Sequence, residues 1–200
     1  YSKEEMNSLP ALCRGLDEGF GLETDIRDLE GELVISHDMP IGSPIHLDRL
    51  LNYYRNGNHT SPLALNIKAD GLQKKLCKLL EEFSISNYFV FDMSVPDTLS
   101  YLNAKMRTFV RRSELENHSD LSRNSQGIWI DELTTSWIDE HVIVEEAKYA
   151  NALCIVSREL HGREKQGLWL EIKNAINSNC ISSEILLCTD FPREAREFFI

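Results

Sequence analysis

The sequence is short of positive charge, of paired cysteines and of long apolar runs, and each shortage removes a class of protein. Its longest uninterrupted apolar stretches, such as Tyr88-Phe89-Val90-Phe91, hold only a few residues, against the roughly 20 that cross a bilayer. No transmembrane helix is expected. The 21 lysines and arginines face 32 aspartates and glutamates, a formal net charge of −11. Such a surface repels polyphosphate, which argues against extended nucleic-acid binding by counterion release and requires any phosphate site to draw on local positive charge. The five cysteines, Cys13, Cys77, Cys154, Cys180 and Cys188, are widely spaced and include no Cys-x-x-Cys pair. Neither a zinc cluster nor a disulfide framework is expected from them. No basic flank leads into an apolar run at the N-terminus, so no leader is visible and a cytoplasmic location is the expectation.

What is present suits a globular chain. With 42% hydrophobic and 26% charged residues, residues 1–200 have enough apolar side chain for one core, and a single domain is expected. Short β-branched or aromatic runs alternate with amphipathic stretches, the pattern of repeated βα units. The runs predict strands over residues 21–27, 33–37, 63–68, 88–93, 108–112, 128–132, 152–157 and 185–191. Helical spacing appears in Met6, Leu9, Leu12 and Leu16, in Leu47, Leu50, Leu51 and Tyr54, in Leu72, Leu76, Leu79 and Leu80, and in Leu168, Ile172, Ala175 and Ile176. Pro192 marks the start of a last helix.

The strand faces favour a closed barrel over a doubly wound sheet. Side chains alternate along a strand, so Leu22, Thr24 and Ile26 share one face while Glu23 and Asp25 share the other. Leu63, Leu65 and Ile67 likewise oppose Ala64, Asn66 and Lys68. A doubly wound sheet lies under helices on both faces and is apolar throughout. A (β/α)₈ TIM barrel carries its polar groups on the carboxyl rim of the inner face. With residues 33–37 taken as an excursion, seven barrel strands remain, and the missing first strand is expected upstream of Tyr1.

Glu23 and Asp25 are the sharpest chemical feature. Two carboxylates on one face of a buried strand repel each other and need a cation or a shared proton, unless they are a rim pair bonded to amides or arginines. An oxygen-only site of this kind suits Mg²⁺ or Ca²⁺. His37, beside Asp38, has the chemistry of a proton shuttle. Lys68 is placed either to neutralise a phosphate or to pair with Glu23 or Asp25. Asp92, Arg112, Trp129, Asp131, Ser157, Glu159, His161 and Asp190 fall at strand ends, where barrel loops gather and substrate contacts form. Glu81-Glu82, Asp139-Glu140 and Glu145-Glu146 read as solvated helix faces. His46, His59, His118 and His141 show no metal-ligand spacing.

The stretch Gly19-Phe20-Gly21-Leu22-Glu23-Thr24-Asp25-Ile26-Arg27-Asp28, followed by Gly31-Glu32-Leu33-Val34-Ile35-Ser36-His37-Asp38, resembles the signature of the glycerophosphodiester phosphodiesterases, in the PLC-like phosphodiesterase superfamily. The strand Leu63-Ala64-Leu65-Asn66-Ile67-Lys68 is similar to that family's acidic-x-Lys strand, and Cys188-Thr189-Asp190-Phe191-Pro192 resembles its closing Thr-Asp-x-Pro. The resemblance implies metal-assisted hydrolysis of a small-molecule or lipid-headgroup phosphodiester in a TIM barrel. It places Glu23, Asp25 and Asn66 on the metal, His37 as an acid/base histidine and Lys68 against the phosphate.

Two departures accompany it. Asn66 stands where the family usually has a third acidic ligand, which predicts weaker metal binding. The family's His-Arg-Gly motif is missing; Cys13-Arg14-Gly15 lies in a helical stretch and is no counterpart, so that histidine is expected upstream of Tyr1. Two alternatives follow: a catalytically inactive barrel that binds a phosphorylated ligand, and another metal-dependent barrel enzyme such as a sugar-phosphate isomerase or aldolase.

Overall fold

In the computed structural model, which describes residues 5–118, 120–178 and 180–200, the chain divides into two compact units, residues 1–108 and 109–200. The strand expected ahead of Tyr1 lies outside the described residues.

The first unit opens with helix α1 (Leu9–Asp17), where the Ser8 hydroxyl caps the Ala11 amide at 3.4 Å. Its apolar stripe buries Leu12 and Leu16, and Gly15 lets the helix approach β1: a Cβ there would stand 2.8 Å from Leu22 Cδ2. Strands β1 (Leu22–Leu29), β2 (Glu32–Ile35), β3 (Ile45–His46), β4 (Leu63–Ile67) and β5 (Tyr88–Phe91) form one sheet in the order β3-β2-β1-β4-β5. Strands β1, β4 and β5 run parallel, whereas β2 and β3 fold back antiparallel. The β1–β2 hairpin turns on Glu30 and Gly31, both with positive φ (51° and 81°). A two-residue turn of that kind matches the twist of its strands, and glycine takes the second position without steric penalty. Helices α2 (Leu47–Asn56), α3 (Gln73–Glu82) and α4 (Val95–Asn103) complete the unit. Leu50, Leu51, Leu76, Leu80 and Tyr101 pack with Ile26, Leu65 and Ile67 in its core.

The second unit is regular. Strands β6 (Phe109–Arg112), β7 (Gly127–Ile130), β8 (Ala152–Val156) and β9 (Glu184–Cys188) lie parallel in chain order. Helices α5 (Asp120–Asn124), α6 (Glu140–Glu146) and α7 (Gln166–Asn177) connect them, and α8 (Pro192–Phe199) follows β9. Ile128, Ile130, Leu153, Ile155, Leu168 and Ile172 form the core.

All eight expected strands are present, and β3 is an addition. Asp139 caps α6 through the Val142 amide. Glu146, expected on a solvated face, is buried against Arg112 (3.1 Å) and His118 (2.7 Å). Among the described residues no helix is long and apolar enough to cross a membrane.

Candidate functional site

Cross-strand neighbours share a face. The register Glu23↔Ala64↔Phe89 and Asp25↔Asn66↔Phe91 therefore puts both carboxylates and the Asn66 amide on the same sheet face as the buried Phe89 and Phe91. Lys68 follows directly after β4 on the same alternation. Its ammonium lies 3.5 Å from Asp25 Oδ1 and 3.3 Å from Asp92 Oδ2. Asn66 Nδ2 donates to Glu23 Oε1 at 3.2 Å. Thus Glu23, Asp25, Asn66, Lys68 and Asp92 come together as a connected polar cluster.

The charges in this cluster do not balance. Burial pushes the Glu23 carboxyl up to about 7, the neighbouring Asp25 adds to the rise, and the Asn66 amide and Lys68 only partly oppose it. Asn7, absent from the sequence-based candidates, donates to Asp25 Oδ2 at 2.8 Å and accepts from the Thr24 hydroxyl at 2.8 Å. It stands next to the cap of α1, and no local pattern marks it. Asn66 Oδ1 is buried without a hydrogen-bond partner.

Among the described residues His37 makes no hydrogen bond or ion pair with Glu23 or Asp25. The Ser36 amide bonds Asp25 O at 3.0 Å, so Ser36 stands beside Asp25 and His37 follows beyond the end of β2. The imidazole is 67% exposed with Nδ1 3.1 Å from Asp38 Oδ1, and the Arg27 side chain donates to the His37 carbonyl.

The second unit gathers its candidates at the carboxyl ends of β6 to β9. Arg112 pairs with Glu146 rather than with Glu114, bonds the carbonyls of Ser113 and Glu116, and lies 4.5 Å over the Trp137 ring. Trp129 is buried in β7. Glu159 accepts from the Ser157 hydroxyl, the Thr189 hydroxyl and the Asp190 amide, and Trp169 Nε1 donates to Ser157 Oγ at 2.8 Å. His161 Nε2 lies 2.6 Å from Oδ1 of the buried Asp131. Asp190 is exposed.

A divalent cation is implied by the resemblance. Among the described residues no group of three or more His, Cys, Asp and Glu side chains stands ready to hold a metal. The residues at Glu23 nevertheless fit a hard cation: two carboxylates adjoin the orphaned amide oxygen of Asn66. Magnesium sites commonly use one or two carboxylates and leave the remaining positions to water and substrate.

Solved structures share the fold. A glycerophosphodiester phosphodiesterase from Parabacteroides distasonis ATCC 8503 matches with a TM-score of 0.64 at 13% identity, over 96% of this chain and 89% of its own. One from Agrobacterium tumefaciens str. C58 matches with a TM-score of 0.59 at 16% identity, over 90% of each chain. No family model and no curated protein sequence matches. At these identities the likeness establishes the fold, an α/β architecture with parallel strands.

Proposed function

We propose that this chain is a metal-dependent phosphodiester hydrolase of the glycerophosphodiester phosphodiesterase type, a single (β/α)₈ barrel domain over residues 1–200. The observation that carries the reading is the convergence of Glu23, Asp25, Asn66 and Lys68 on one face of the β1–β4 pair, in a chain whose fold is shared with such enzymes. Glu23, Asp25 and Asn66 would hold Mg²⁺ or Ca²⁺. When bound, the ion polarises the phosphate and makes the attacking group easier to deprotonate. Lys68, tethered by Asp25 and Asp92, offsets the negative charge that grows on the phosphoryl oxygens. His37, oriented by Asp38, moves a proton. The substrate in this reading is a small-molecule or lipid-headgroup phosphodiester. Five free cysteines fit the reducing cytoplasm in which we place the protein.

A second reading, binding of a phosphorylated ligand without turnover, is favoured by Asn66 in place of an acid and by the exposure of His37. Hydrolysis of glycerophosphocholine and bis(p-nitrophenyl) phosphate with Mg²⁺, Ca²⁺ or EDTA separates the two. Metal-dependent turnover that is lost in His37→Ala supports the hydrolase. Calorimetric binding of glycerol phosphate by a protein that turns over neither diester supports the second reading.

A further inference from the structure

Consecutive backbone amides of the second unit converge on a single carboxylate. Glu114, in the turn after β6, accepts from the Leu133 amide at 3.1 Å, the Thr135 amide at 3.0 Å, the Thr134 hydroxyl at 2.7 Å and the Thr134 amide. Successive amides that point into one hollow form a nest, a device that binds anions. Burial disfavours the charged carboxylate, yet the donors of Thr134 and Thr135 hold its carboxyl down to about 2. The nest therefore stabilises negative charge.

Neither wall of the nest depends on Glu114. Behind the amides, Trp137 Nε1 donates to the Asp131 carbonyl at 2.9 Å, the Ile138 amide donates to Glu132 Oε1 at 2.8 Å, and Arg163 donates to the Glu132 carbonyl. On the facing side, Ser113 and Glu116 exchange backbone hydrogen bonds at 3.2 Å, and Arg112 donates to both of their carbonyls. Glu114 can thus leave the nest by rotating its own side chain, with both backbones kept in place. The mouth is open to solvent, because Thr134, Thr135 and Ser136 are exposed. Arg163, which lies 3.9 Å from Glu132 Oε2, also donates to the Ser136 hydroxyl at 3.5 Å and brings a cation to this turn in a chain of net charge −11.

We propose that the amides of Leu133, Thr134 and Thr135 form a binding site for a phosphate dianion, free or as the terminal group of a monoester, and that Glu114 is its exchangeable plug. A phosphate group presents about three strong acceptor oxygens and nearly two charges, where the carboxylate presents fewer of each. It can therefore serve the amides and the Thr134 hydroxyl together. A diester, with a single charge, is the poorer fit. The site lies wholly within the second unit and stands whether or not the hydrolase reading does.

The test follows the backbone amides of the full chain by NMR while inorganic phosphate, glycerol phosphate or glycerophosphocholine is added. The pH is about 8, where a phosphate monoester is a dianion, and sodium chloride holds the ionic strength constant. In the wild type, phosphate and glycerol phosphate should shift the Leu133, Thr134 and Thr135 amides saturably, and glycerophosphocholine should leave them in place. A larger response to glycerol phosphate assigns the site to a monoester, and a larger response to inorganic phosphate assigns it to the free ion. A plug seated about nine-tenths of the time weakens apparent affinity about tenfold, so Glu114→Ala should bind at least that much more tightly. Either anion should also raise the melting temperature of this variant more than that of the wild type. Glu114→Gln, which keeps a neutral acceptor in the nest, should fall between the two and serves in its place where the alanine variant does not fold. Wild-type amides that stay unmoved in millimolar phosphate would mean that Glu114 is a fixed staple, and overturn the proposal. So would an equal response to the diester, or unchanged affinity in a folded Glu114 variant.

Discussion

Asn66, whose register partner across the parallel strands is Asp25, reaches diagonally to Glu23, its amide nitrogen 3.2 Å from a carboxyl oxygen. The bond spends the donor end of the amide on Glu23 and leaves the acceptor end, Oδ1, buried and without a partner. An acceptor beside two carboxylates is a place for a cation. Asn66→Asp puts a third carboxylate there. Without metal the added repulsion should lower stability by about 1–3 kcal/mol, read as a drop in melting temperature in EDTA. With Ca²⁺ the same variant should bind roughly tenfold more tightly by calorimetry, because ligand charge sets affinity for hard cations. Equal affinity in both proteins would remove Asn66 from the ligand set.

Glu114 predicts an acid-sensitive loop. Burial disfavours its charged form, but the hydroxyl and amide of Thr134 and the amide of Thr135 hold that form more strongly, and the carboxyl falls to about 2. The unfolded chain, with an ordinary value of 4.5, binds more protons than the native one between those limits. Stability from this group is therefore present above the ordinary value and lost as pH falls toward about 2. Urea midpoints at about pH 3 and about pH 6 should differ less in Glu114→Gln than in the wild type.

Glu132 is fully buried and held by Arg158 through Nε (2.6 Å) and Nη2 (3.0 Å), with the Ile138 amide donating at 2.8 Å. Removing Arg158 leaves the buried carboxylate with only the Ile138 amide and the more distant Arg163, at 3.9 Å. Arg158→Met should cost about 3–5 kcal/mol in urea unfolding. Adding Glu132→Gln should recover part of that loss, since a neutral amide is cheaper to bury than a carboxylate that has lost its closest cation.

Gly127 predicts a steric cost. A Cβ on this residue of β7 would lie 2.3 Å from the Phe109 ring on β6. Gly127→Ala should destabilise by about 1–3 kcal/mol through overpacking, and Gly127→Ala/Phe109→Leu should restore some of it. An unfolding midpoint that is unchanged in the single variant would mean that the ring moves aside freely.

Much of the fold was legible because strand and helix periods differ. Alternation in Leu22-Glu23-Thr24-Asp25-Ile26 marked a strand, and the spacing of Leu47, Leu50, Leu51 and Tyr54 marked α2. Strand β3 has two residues, too few for a period to register, and exists because Val34 and Ile35 pair with it. Glu146 read as a solvated charge because no local pattern reveals that Arg112, 34 residues away, reaches it. Asn7 was illegible for the same reason: its partners, Asp25 and Thr24, are 18 and 17 residues distant.

By itself the sequence determined the order of elements, and it put Glu23 and Asp25 on one strand face, since alternation along a strand is a local property of the backbone. Tertiary structure decided which residues meet them. The register of β1 against β4 brings Asn66 to Glu23 and Lys68 to Asp25, and the ends of β7 and β8 bring Asp131 to His161. Register is set by how apolar faces pack across the sheet, and a slip of one residue would turn every side chain of a strand to the opposite face.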